Sequence, residues 1–132
     1  IHDLGRSILA DEPIDLGTAC FNGIWQGDAN RMILQALACC TAPGTVLNLT
    51  GPETLSVVTV ARRLGRILGR EPRFAGSPGG TQWLSDGSRA LGRFGYGEVP
   101  VDRVIDWTAR WLAQGGASLG KPTHYAAQDG KF

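Results

Sequence analysis

At 132 residues and 14.0 kDa the chain is one domain's worth of polypeptide, since globular domains most often run to about 100–150 residues. A composition of 42% hydrophobic and 19% charged residues, with four Trp, excludes a disordered tail, and a net charge of +1 offers no footprint for nucleic acid. The longest unbroken apolar run, residues 36–40, is far short of the roughly 20 residues that cross a bilayer, so no membrane partner is expected.

Along the chain, Leu4, Ile8 and Leu9 recur at helical spacing until Asp11-Glu12-Pro13 stops them, which predicts a helix over residues 1–10 that reads as the tail of one begun upstream. Residues 14–16 and 24–25 read as short strands around a loop at 17–23. Asp28 is the expected N-cap of a helix to about Cys40, with Ala29, Met32, Ile33, Ala36, Leu37 and Cys40 as its buried stripe. A turn at 41–44 precedes a strand over 46–50, whose apolar residues alternate about Asn48.

Ser56 then caps the strongest helix of the first half. Val57, Val60, Ala61, Leu64, Ile67 and Leu68 share one face, and Gly69 ends it. Arg62, Arg63, Arg66 and Arg70 read as its solvated side. A short strand is expected at 73–75, a loop at 76–80, and a short helix from Ser85 or Asp86 to about Phe94. Val101, Val104, Ile105, Thr108, Trp111 and Leu112 mark a last amphipathic helix, ending near Gln114. Residues 115–132 show no periodicity and read as a loop. Strands alternating with helices give an α/β layered arrangement.

Chemistry-bearing motifs are scarce. Three Cys and two distant His (His2, His124), with no CxxC, give no metal-ligand spacing, so no metal is expected, and reduced thiols packing a helix face fit a cytoplasmic protein. No GxGxxG or GxxGxxG is present to lay a pyrophosphate on a helix N-terminus, and the nearest approach, Gly92-Arg93-Phe94-Gly95-Tyr96-Gly97, falls at a helix end. Neither Tyr96 nor Tyr125 is followed by Lys four residues on. No catalytic and no cofactor-binding residue is therefore assigned.

A series of blocks in order carries more information: Ile24-Trp25-Gln26-Gly27-Asp28-Ala29, then Val46-Leu47-Asn48-Leu49-Thr50-Gly51-Pro52-Glu53-Thr54-Leu55-Ser56-Val57, Leu68-Gly69-Arg70-Glu71-Pro72, Leu84-Ser85-Asp86-Gly87-Ser88-Arg89-Ala90, Phe94-Gly95-Tyr96 and Ile105-Asp106-Trp107. Over residues 1–114 the chain resembles the C-terminal, substrate-binding part of an extended short-chain dehydrogenase/reductase, of the NAD(P)-dependent epimerase/dehydratase family.

The resemblance implies a small mixed α/β domain over 1–114 with short strands and four to five helices, within which residues 1–45 include a strand and helix that return to a Rossmann sheet; 115–132 are an irregular tail. It implies that NAD or NADP and the catalytic Tyr belong to an N-terminal Rossmann half of the same protein, which explains the missing motifs. The whole would act on a sugar-like or other carbinol or carbonyl substrate, and this chain would contribute Asn22, Trp25, Gln26 and Trp83 to substrate binding. Where nucleotide-sugar epimerases place diphosphate-binding arginines, this sequence has Phe21 and Gly76, with Arg73 or Arg89 as possible substitutes. The alternative is a stand-alone, non-catalytic module of the same fold that self-associates through exposed apolar faces, the stripe around Met32, Leu37 and Cys40 first among them.

Overall fold

The computed structural model describes residues 1–121. Helix α1 (His2–Leu9) leads to strands β1 (Ile14–Asp15) and β2 (Thr18–Phe21), then to helix α2 (Gln26–Ala36), which closes in a 3-10 turn (Leu37–Cys39). After an extended run come β3 (Leu55–Ser56) and α3 (Val57–Leu68), then β4 (Phe74–Ala75), β5 (Thr81–Trp83), α4 (Ser88–Phe94) and α5 (Val101–Ala113).

Helix α3 forms where its local signals say it should. Ser56 Oγ accepts the Thr59 N–H at 3.4 Å, satisfying one of the orphan donors of the first turn. Gly69 closes the helix in the left-handed region at φ 67°, where a β-carbon is strained. Val57, Val60, Ala61 and Leu64 are buried, and they meet Leu4 and Ile8 of α1 and Ile105 and Ala109 of α5 in one core. Complete burial of a side chain such as Leu64 stabilises by about 1.5–3 kcal/mol. Arg63 is not simply solvated. Its guanidinium lies 2.7 Å from Asp102 Oδ1 and 3.0 Å from Asp106 Oδ1, clamping α3 to α5, and these hydrogen bonds raise its pKa further.

Two small sheets sit against this helical layer. β2 is central to a three-stranded sheet, antiparallel to β3 with Phe21 opposite Leu55, and parallel to β5 with Phe21 opposite Trp83. β1 and β4 pair in parallel, Ile14 opposite Phe74.

Several expected elements fall elsewhere. β2 occupies the stretch read as a loop, and residues 24–25 are not a strand, because the partners that make 18–21 a strand lie far along the chain. Residues 46–50 run without a ladder partner among the described residues, and Val46 is 82% exposed. Trp25, not Asp28, is the N-cap residue of α2. Of the predicted stripe on that helix only Met32 is fully buried; Ile33, Leu37 and Cys40 are exposed. The short helix starts at Ser88, where Asp86 Oδ1 accepts the Ser88 N–H at 2.9 Å. Trp111 is half-exposed and donates its indole N–H to the Ala117 carbonyl at 3.1 Å. The rest of the expected tail, with His124 and Tyr125, lies outside the described residues.

Candidate functional site

The site is built by a loop that helix α2 holds in place. Asp28 is 3% exposed, and its carboxylate accepts the N–H of Glu98 at 3.0 Å and of Val99 at 3.1 Å, one on each oxygen. One turn on, Arg31 donates to the Phe94 carbonyl at 3.3 Å and the Tyr96 carbonyl at 3.1 Å. Gly97 passes so close that a β-carbon there would stand 2.8 Å from Asp28 Oδ2, so only glycine fits the passage. Four backbone groups from the last residue of α4 to the residue before Pro100 are thereby fixed to one helix face.

The loop so held forms one wall of a pocket of about 270 Å³. Tyr96, Glu98 and Val99 line it from the loop, Val101 and Val104 from α5, Ile24 and Trp25 from the start of α2, and Pro52 and Glu53 from the turn before β3. The Trp25 ring is braced by Trp107 of α5 in an edge-to-face contact, centroids 5.9 Å apart and planes at 63°. Among the described residues no Lys, Arg or His side chain lines the pocket. Ile1 does, and burial holds its amino group below the usual pKa, opposed by Asp3.

A second depression of about 430 Å³, lined by Asn22, Ser85, Asp86, Ser88 and Leu91, shares Gly51, Pro52 and Tyr96 with the first. A third, of about 500 Å³, lies between α2 and the extended run, lined by Ile33, Cys39, Cys40, Leu47, Leu49, Arg89 and Arg93.

The four residues expected to bind substrate are therefore spread out. Trp25 lines the first pocket. Asn22 lines the second, but its amide is engaged by backbone: it donates to the Ser85 carbonyl at 2.8 Å and accepts the Ser85 N–H at 3.1 Å. Gln26 is exposed and donates to Asn30 Oδ1 at 2.8 Å. Trp83 is half-buried at the end of β5, outside the lining of the Trp25 pocket. Tyr96, Glu53 and Glu98 were not singled out from sequence: the approach of Tyr96 and Glu98 to Trp25 depends on the Asp28 and Arg31 contacts, which span more than sixty residues, and the turn of Glu53 is tied to the Trp25 segment by the Gly51 N–H on the Gly23 carbonyl. Of the two substitute arginines, Arg73 is committed to Asp11, 3.3 Å away, and Arg89 lines the third depression.

Among the described residues, β2 reaches α2 through Asn22-Gly23-Ile24-Trp25, β3 runs directly into α3 and β5 reaches α4 through Leu84-Ser85-Asp86-Gly87, and none of these connections carries the GxGxxG spacing. Gly116-Ala117-Ser118-Leu119-Gly120 has the spacing of a serine nucleophile turn but follows α5 rather than a strand. Among the described residues no group of three or more His, Cys, Asp or Glu is placed to hold a metal ion, and no helix is long and apolar enough to cross a membrane. All three cysteines are free thiols, Cys20 on a strand and Cys40 exposed.

No family model and no curated protein matches the chain. Solved structures do. UDP-glucuronic acid 4-epimerase from Bacillus cereus in complex with NAD superimposes with a TM-score of 0.64 at 22% identity, over 84% of this chain and 37% of that one. The same enzyme in complex with UDP-glucuronic acid and NAD gives 0.64 at 23%, and a Tyr-to-Phe variant with a fluorinated substrate analogue and NAD gives 0.64 at 24%. The chain thus spans less than two fifths of the enzyme it matches, and its mixed α/β fold, five helices with short strands, is the fold of a portion of that epimerase.

Proposed function

We propose that this chain is the substrate-binding part of an NAD(P)-dependent epimerase, dehydratase or reductase of the extended short-chain dehydrogenase/reductase family. Its task is to select a sugar-like or other carbinol or carbonyl substrate and hold it against a nicotinamide, so that much of the entropic cost of reaction falls on binding. NAD or NADP and the catalytic base belong to a Rossmann half. The observation that carries this reading is the superposition over 84% of this chain on 37% of an NAD-bound sugar epimerase.

Two further features support it. The Trp25 pocket is small, concave and mostly apolar, as small-molecule sites are. The extended run at 46–50, beside the exposed Ile33, Leu34 and Leu37 of α2 and its 3-10 turn, offers one strand and one helix face to an adjoining sheet.

The test is to read the coding DNA immediately upstream of Ile1 and express the longer product. A glycine-rich fingerprint and a Tyr-x-x-x-Lys in frame, with NAD(H) binding by the product, are expected. Micromolar NADH binding by the 132-residue chain alone, or an upstream frame without the fingerprint, overturns the assignment. The same exposed apolar residues favour a second reading, a self-associating module without catalysis. A monodisperse monomer in sedimentation argues against that one.

A further inference from the structure

The depression between α2 and the extended run is lined by charge of one sign. Arg89 and Arg93 both line it, four residues apart on α4 and so on one face of that helix. Among the described residues no Asp or Glu lines it, and neither arginine has an ion pair. Asp86, three residues before Arg89, lines the second depression. The opposing field comes from helix C-terminal ends, the 3-10 turn that closes α2 and the last turn of α4, each worth at most about half an elementary charge. Their carbonyls are already in use. Cys39 and Cys40 donate their thiol hydrogens to the Gln35 and Ala36 carbonyls at 3.9 and 3.7 Å, and the Phe94 carbonyl accepts from Arg31. Two whole positive charges therefore prevail.

The walls are tied to one another. Arg93 Nε donates to Cys39 Sγ at 3.0 Å, which joins α4 to the end of α2 and fixes the guanidinium beside the depression. Its two Nη groups make no hydrogen bond among the described residues and are left for a ligand. Asn48 Nδ2 donates to the Asp86 carbonyl at 3.2 Å, pinning the extended run to the start of α4. Along that run the half-buried Leu47 and Leu49 alternate with the exposed Val46 and Asn48, and it is Leu47 and Leu49 that line the depression. With Ile33 and Phe94 they give it an apolar wall. Leu34 and Leu37, the residues offered to an adjoining sheet, are not part of it.

We propose that this depression is a second binding site, for an organic anion. A carboxylate or phosphate monoester headgroup lies between Arg89 and Arg93, and a compact apolar body covers Ile33, Leu47, Leu49 and Phe94. A guanidinium suits either headgroup, because its forked donors match two oxygens of one oxyanion. The volume of about 500 Å³ is in the range of small-molecule sites. No lining residue is shared with the Trp25 pocket, so the proposal does not rest on the reading that the Trp25 pocket binds substrate.

The experiment is an NMR titration of the 132-residue chain at neutral pH with four probes that share one apolar body: phenylbutyrate, phenylbutyl phosphate, phenylbutanol and phenylbutylamine. At least one anion is expected to shift the Arg93 Nε–H and the Phe94 amide saturably. It should bind at least about fivefold more tightly than the alcohol, the scale of one or two exposed charge pairs, and the tighter anion identifies the headgroup. Added salt should narrow that margin. Joint substitution Arg89→Gln and Arg93→Gln, both at exposed positions, should abolish it and leave binding of the alcohol unchanged. Arg89→Gln alone, which keeps the Arg93 contact with Cys39, should already reduce it. Anions no tighter than the alcohol, a preference for the amine, no saturable anion binding, or a margin that survives the joint substitution overturns the proposal. So does anion binding that moves the Trp25 indole and not Phe94, which would put the anion at the N-termini of α2 and α5.

Discussion

The carboxylate of Asp28 accepts the backbone N–H of Val99 at 3.1 Å across 71 residues of sequence, with its other oxygen on the neighbouring Glu98 N–H. An aspartate in the first turn of a helix would ordinarily offset the orphan donors of its own helix. Here it satisfies two donors of another segment, and in doing so sets the height of the loop that walls the Trp25 pocket.

Asp28→Ala should therefore act twice. Two part-buried N–H groups lose their acceptors, which should cost about 1–3 kcal/mol of stability in urea denaturation. The amides of Glu98 and Val99 should also exchange with solvent far faster than those of α3. Asp28→Asn keeps one acceptor oxygen and should lose about half as much stability. Unchanged exchange at both amides in the alanine variant would show that the loop is held by Arg31 alone.

Met32 and Leu37 test how the face of α2 is divided. Met32 is fully buried, whereas Leu37 is 67% exposed and Leu34 68%. Met32→Ala should cost about 2–5 kcal/mol, the range for deleting a buried side chain. Leu37→Ser should stay within about 0.5 kcal/mol in the isolated chain. If the proposed Rossmann half covers this face, the same Leu37→Ser should weaken the longer protein, and thermal melts of the two forms give the comparison.

These positions also show what could be read from the sequence. Helices α1, α3 and α5 follow from local signals, the apolar recurrence of Leu4 and Ile8, the Ser56 cap and Gly69, because helical hydrogen bonds close within four residues. The strands do not. β2 exists only through Leu55 and Trp83, far along the chain, so its residues look like a loop until those partners are in place. The stripe on α2 is a correct reading of amphipathicity that lacks its cover: Met32 meets the body of the domain, while Ile33 and Leu37 meet solvent. Trp25 was recognisable as a pocket residue through its motif. Glu98 was not, since no local pattern marks a loop that a distant aspartate positions, nor was Glu53, whose turn is joined to the Trp25 segment by a backbone hydrogen bond from Gly51 to Gly23.

Ser56 gives a test of the helix cap alone. Its Oγ accepts the Thr59 N–H, and Val57 behind it is fully buried, so the start of α3 is fixed by one hydrogen bond and one apolar contact. Ser56→Ala should lower stability by about 1 kcal/mol and Ser56→Asp, which retains an acceptor near the positive end of the helix, by much less. Equal losses in both would mean that burial of Val57, not the cap, sets the helix start.

Asp86 supplies the pH dependence. The Ser88 backbone N–H, with a smaller contribution from the Ser88 hydroxyl, holds its pKa below the ordinary carboxylate value. A carboxylate whose folded pKa is depressed contributes stability that is fully present above the unfolded value and lost as pH falls through the lower, folded one. The Ser88 amide should therefore stay protected down to about pH 4 and lose its protection below it, loosening the start of α4. In Asp86→Ala that amide should exchange quickly at every pH, and acid denaturation curves should fall less steeply than those of the unsubstituted chain. Because Asp86 is exposed, added salt should not restore the difference: the contact is a hydrogen bond to a neighbour two residues away, which screening leaves largely intact.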